Sequence, residues 1–107
     1  MKSEHEIQNE IRIALSQNGC TMFRANAGQV TTRDGRQFYG MPKGYPDLSG
    51  FRNVDGKAIF IEVKNEKGKL RPEQITFGNF LKSQPVLYGV ARSVEEALAI
   101  VNSKRNG

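Results

Sequence analysis

One cysteine, Cys20, and one histidine, His5, are all that the chain holds of two residue types on which many active sites depend. A lone cysteine excludes an internal disulfide and suits a reducing compartment. A lone histidine excludes a histidine-built metal site and a Ser-His-Asp triad, and His5 reads as a solvated helix residue. No apolar run reaches the roughly 18 residues of a membrane span, and the N-terminus is too polar for a secretory signal. The stretch Gly40 to Gly44 lacks the phosphate-binding P-loop pattern, so nucleotide hydrolysis has no support. Repeats and low-complexity tracts are missing too, apart from a ragged polar C-terminus. These absences set the expectation of a soluble cytoplasmic protein.

What is present is an ordinary globular mixture, with 37% apolar and 25% charged residues in a chain of 107. That length fits one compact domain spanning 1–107. A domain so small has little surface to divide between binding and chemistry, and pairing with a second copy would enlarge its working face. The formal charge of +5 and the pI near 9.6 favour a polyanionic partner. Lys and Arg that neutralise phosphates release condensed counterions. Charge alone does not separate nucleic acid from an anionic membrane or from a device for solubility.

Along the chain, Ile7, Ile11, Ala14 and Leu15 recur at helical spacing, with Ser3 as N-cap and Glu4 and Glu6 at the positive end of the helix dipole. Gly19 ends that helix, and Cys20 to Ala25 reads as a short strand. Residues 26–46 are rich in glycine and proline and form a long connection, with a hairpin turning at Asp34-Gly35. Asp47 to Arg52 and Lys57 to Asn65 are strands joined at Asp55-Gly56, a strong hairpin signal. Pro72 opens a helix carrying Ile75, Phe77, Phe80 and Leu81. Val86 to Ala91 is a further strand, and Ser93 caps a last helix with Ala97, Leu98, Ile100 and Val101 inside. The expected class is α/β, with a mixed central sheet flanked by helices.

Asp47 opens one strand of the hairpin and Glu62 lies late in the other, so antiparallel pairing can bring the two carboxylates together. Glu62 and Lys64 share a face, roughly 7 Å apart along the strand, while Ile61 and Val63 point to the other. Two carboxylates with a backbone carbonyl between them supply hard oxygen ligands for Mg²⁺ or Mn²⁺, and a neighbouring ammonium can orient an attacking water. A bare Glu-x-Lys triplet is more often a salt bridge on an exposed strand. Here the apolar run Ile59 to Ile61 carries Glu62 into a largely buried strand, where an unpaired charge is costly and usually functional. Pro46 fixes the approach of Asp47. Glu4 falls on the stripe of Ile7 and Ile11, which aims it at the sheet, although a capping carboxylate is an equal reading.

Gly44-Tyr45-Pro46-Asp47, then Glu62-Val63-Lys64, then Gln74 after Lys69-Leu70-Arg71-Pro72, resemble the PD-(D/E)xK nuclease superfamily and within it the VRR-NUC family. The likeness runs from Glu4 to about Val101, and the predicted order agrees with the superfamily's αβββαβ, restriction-endonuclease-like core. The resemblance implies Asp47 and Glu62 as metal ligands, the Val63 carbonyl as a further ligand, and Lys64 beside the nucleophilic water. It implies that Glu4 reaches the metal through water and that Gln74 orients water or phosphate. Phe77 matches the family's aromatic after that glutamine and reads as core. Phe23-Arg24-Ala25-Asn26-Ala27-Gly28 also resembles family members, which makes Arg24 and Asn26 candidate backbone contacts, with a salt bridge or a turn as the alternative.

Small members of the family resemble Holliday junction resolvases and act as homodimers. Read as a free-standing member, the chain is expected to cleave branched DNA such as four-way junctions, as a phage-type DNA repair enzyme in a bacterial or phage-infected cell. Arg33, Arg36 and Lys43, interleaved with Phe38, Tyr39 and Tyr45, suit a surface laid on DNA. Lys67, Lys69 and Arg71 stand next to the acids and can grip a backbone, or they form a solvated turn. Two rival readings remain at this point: a non-catalytic nucleic-acid-binding module, and a restriction-type endonuclease that reads sequence.

Overall fold

The computed structural model describes residues 1–25, 29–31 and 33–103. Helix α1 (Glu4–Gln17) starts at a capping box, in which Ser3 Oγ accepts the Glu6 N–H and Glu6 Oε1 accepts the Ser3 N–H. Two otherwise orphaned donors are thereby satisfied. Strand β1 (Cys20–Arg24) follows, then β2 (Gln29–Thr31) and β3 (Gln37–Tyr39), β4 (Leu48–Arg52), β5 (Ala58–Val63), α2 (Pro72–Lys82), β6 (Leu87–Ala91) and α3 (Val94–Val101).

Four strands form one mixed sheet in the order β1-β4-β5-β6, antiparallel except for the parallel pair β5–β6. The β4–β5 hairpin turns through Asn53–Gly56, where Arg52 grips the Asp55 carboxylate at 3.1 and 2.7 Å and Gly56 takes the left-handed conformation. The expected hairpin inside the long connection is present as the separate pair β2–β3, with Gly35 at positive φ beyond Asp34.

Side-chain alternation gives the main sheet two unlike faces. Leu48, Ile59, Ile61, Val63, Leu87 and Ala91 point one way and close on Ile7, Ile11 and Leu15 of α1 and Ala97 and Val101 of α3. Each of the Leu, Ile and Val side chains taken fully out of water contributes roughly 1.5–3 kcal/mol. On the opposite face lie Phe60, Glu62 and Tyr88, and there α2 packs against β6, where Gly78 lets the Tyr88 ring pack closely. Phe23 and Phe51, towards the β1 edge of that face, are exposed.

Helix α2 departs from its expected apolar stripe. Gln74, Gly78 and Leu81 are its buried residues, whereas Ile75 and Phe80 are 46% and 58% exposed. Close approach to Tyr88 demands the glycine side of the helix, because a Cβ at 78 would collide with the phenol oxygen. Among the described residues no helix is long and apolar enough to cross a membrane.

Candidate active site

Polar residues gather where β4 begins and β5 ends. Asp47 is set by its neighbours on three sides. Pro46 is fully buried before it, the Asp47 carbonyl accepts the Ala25 N–H at 2.9 Å, and Asp47 Oδ2 accepts the Val63 N–H at 2.8 Å. Carrying the register one step beyond Leu48 and Ile61 sets Asp47 beside Glu62. The loop ahead of it is anchored by Gly44, which has φ +84° and lies so close to the Glu73 carbonyl that any Cβ would collide with it. Only glycine meets both demands. Tyr45 then packs edge-on against Phe60 and Phe77, ring centroids 5.9 and 5.4 Å away. The Gly44–Asp47 segment is thus locked both to the sheet and to the first turn of α2.

Glu62 is 1% exposed, and its Oε1 is buried without a hydrogen-bond partner. Burial first, and then the neighbouring Asp47 carboxylate, push its pKa up to about 9, against the opposing pull of Lys64. Two carboxylates at such close quarters cannot both ionise cheaply. Lys64 is itself buried, and its Nζ lies 3.9 Å from Glu4 Oε2. Gln74, also buried, accepts the Arg71 N–H on Oε1 at 2.8 Å, which caps α2 and leaves its amide nitrogen as the remaining donor group.

The structure therefore brings Asp47, Glu62 and the Val63 backbone together, with Lys64 acting on Glu62, while Gln74 stands in the first turn of α2 with its backbone against Gly44. Glu4 meets Lys64 rather than completing a cluster of acids, and among the described residues no group of three or more His, Cys, Asp or Glu is poised to hold a metal. The acid pair nevertheless fits a divalent cation. Its donors are hard oxygens, and Glu62 Oε1 is a buried acceptor that lacks a donor.

The basic candidates divide by location. Arg33 and Arg36 are exposed on the β2–β3 turn, with Arg36 Nε 3.3 Å from Asp34 Oδ2. Lys43 is exposed just ahead of the Gly44–Asp47 segment, and Lys67, Lys69 and Arg71 are exposed between β5 and α2. Arg71 also pairs with Glu73 at 3.3 Å. Arg24 turns to α1, donating to Gln8 Oε1 at 2.6 Å and standing 2.7 Å from His5 Nδ1, so that His5 has a neighbour the sequence did not foretell. Asn26 lies outside the described residues. Tyr88 escaped the sequence reading as well. It shares the face of Glu62, and burial together with that carboxylate raises its pKa. The period-two alternation of Val86 to Ala91 was the signal that could have placed it.

A mixed four-stranded sheet bearing an Asp, Glu and Lys trio at one end, behind an acidic first helix, defines the PD-(D/E)xK class of nuclease domains. Within it, a family model described as the VRR-NUC domain matches residues 3–95, and the chain belongs to that family. A solved structure described as a VRR_NUC domain is similar in fold, with a TM-score of 0.65 over 94% of this chain and 96% of that one at 20% identity. No protein of curated function matches. Family membership implies a nuclease-type function.

Proposed function

We propose that this chain is a Mg²⁺- or Mn²⁺-dependent endonuclease that hydrolyses phosphodiester bonds of branched DNA as a homodimer. One observation carries the reading: the buried, partnerless Glu62 oxygen beside the Asp47 carboxylate, a costly arrangement for which a bound cation compensates. Asp47 and Glu62 would hold the ion, with the Val63 carbonyl as a further ligand. When bound, it supplies Lewis-acid activation of water and neutralises charge on the phosphate. Lys64, restrained by Glu4, would orient the attacking water, and the Gln74 amide nitrogen would donate to a phosphate oxygen. Arg33, Arg36, Lys43, Lys67, Lys69 and Arg71 carry the DNA backbone. Exposed Ile75, Phe80, Phe23 and Phe51 supply apolar surface for a second copy. The preference for branched DNA rests on the likeness to small junction-resolving members of the family.

The test is a cleavage panel of four-way junction, flap and linear duplex with Mg²⁺, Mn²⁺ or chelator, alongside sedimentation of the free protein. Junction cutting that needs the ion and disappears in Asp47→Asn supports the reading. Undiminished cutting in that variant would sink it, and DNA binding without cutting would leave a binding module.

A further inference from the structure

The turn that follows Lys64 is gripped by a side chain from just beyond β6. Residues 65–68 close on themselves: the Gly68 N–H donates to the Asn65 carbonyl at 3.2 Å, and the Lys67 N–H donates to Asn65 Oδ1 at 3.1 Å. Arg92, one residue past β6, then donates from Nη1 to the Asn65 carbonyl at 2.6 Å and to the Gly68 carbonyl at 2.8 Å. One guanidinium thus ties both ends of the turn to the end of β6. Hydrogen bonds from a charged donor are roughly twice as strong as neutral ones. Arg92 is itself placed by its own backbone, whose N–H donates to Glu96 Oε1 at 2.7 Å, and by the adjacent bond from the Lys64 N–H to the Ala91 carbonyl at 3.2 Å.

What the turn touches is the lysine. A Cβ on Gly68 would stand 2.7 Å from Glu4 Oε2 and 3.2 Å from Lys64 Cδ. The bare backbone at 68 therefore forms a wall against the Lys64–Glu4 pair. A lysine stem has several rotatable bonds, and freezing it in one geometry costs rotamer entropy unless packing selects that geometry. Here the packing comes from the clamped turn.

We infer that Arg92 is a positioning residue of this site: by clamping the 65–68 turn it holds the Lys64 ammonium and the Glu4 carboxylate in place, with Gly68 as the contact through which it acts. The consequence for cleavage rests on the nuclease reading, whereas the restraint on the turn does not.

Arg92→Ala, Arg92→Lys and Gly68→Ala test it in the full chain, with one readout that needs no activity. In Arg92→Ala, the backbone amide order parameters of residues 65–68 are expected to fall from the rigid range of ~0.85 towards ~0.6, while those of β4 stay unchanged. The single-turnover cleavage rate at saturating DNA falls about tenfold to a hundredfold, with DNA affinity in Ca²⁺ retained. Arg92→Lys, or free guanidinium added to Arg92→Ala, recovers part of that rate. Gly68→Ala lowers the rate with Arg92 intact. An unchanged turn in Arg92→Ala overturns the inference. So does a loosened turn with an undiminished rate in an active enzyme, or a loss of order that spreads equally through β4. If the wild-type chain cleaves nothing while the turn still loosens, the clamp stands and the nuclease reading is what fails.

Discussion

Strand β5 offers two faces of one short segment for comparison. Ile59, Ile61 and Val63 face α1 and α3 and are wholly buried in apolar contact. Phe60, Glu62 and Lys64 face the other way, where burial increases from the phenylalanine to the charged pair. Accessible area alone does not tell the last residues of the two faces apart. Chemistry does, because the first face gains free energy by leaving water while the second gives some up to bury an acid whose Oε1 has no hydrogen-bond partner. Consistency between burial and residue type marks a core, and a break in it marks a site.

Substitutions on either side of the strand should therefore have opposite signatures. Glu62→Gln is expected to reduce cleavage about a thousandfold or more, equivalent to about 4 kcal/mol of transition-state stabilisation, while leaving the chain as stable as before or more so. Ile61→Ala reverses the pattern. It should cost about 2–5 kcal/mol in urea unfolding and leave the rate per folded molecule near that of the wild type. If both variants lost stability in parallel, the division between the faces would collapse.

The pH dependence sharpens the same contrast. Glu62 binds its proton more tightly folded than unfolded, with a pKa of about 9 against the ordinary 4.5. Between those values the native state holds more protons than the unfolded one, so stability without divalent ion declines as pH rises through that window. Below pH 4.5 both states are protonated and the slope from this group vanishes. Glu62→Gln should flatten the decline, and added Mn²⁺ should raise the melting temperature of the wild type but not of the variant. Thermal melts between pH 5 and 9 measure both. A wild-type slope that Glu62→Gln leaves intact would assign the pH dependence to other groups.

Much of this was legible in the sequence, for reasons that differ element by element. The hairpin at Asp55-Gly56, the Ser3 and Ser93 caps and the apolar strand AIFIEV are local signals, and each appears where its pattern places it. Asp47 beside Glu62 needed only a register, which the hairpin supplies. The stripe on α2 was misread because hydrophobicity stood in for fit. Gly78 and Gln74 are buried for close approach and capping, while Phe80 is left outside. Glu4 was aimed correctly at the sheet's end, but its partner there is Lys64, a distinction that helical periodicity does not carry. Arg92 and Gly68 were invisible because their meeting depends on the parallel β5–β6 crossover, a contact between residues distant in the chain.

The smallest expected effect separates cations that serve DNA from one that serves the fold. Arg24 ends β1 on the core side of the sheet, its guanidinium bonded to Gln8 and next to His5. Lys69 and Arg71 lead into α2 beside Gln74 and are exposed. Each contact to a phosphate contributes close to one unit to the slope of log affinity against log salt. Lys69→Ala and Arg71→Ala should each reduce that slope by about one and weaken binding evenly across DNA sequences, since a backbone contact carries no sequence information directly. Arg24→Ala should leave the slope unchanged and instead destabilise the chain by about 1 kcal/mol through its lost hydrogen bonds to α1. Titrations of labelled DNA across a salt series read the slope directly. A reduced slope in Arg24→Ala would place DNA across the α1 side as well, and the working surface would then extend beyond the one face of β5 that carries the acids.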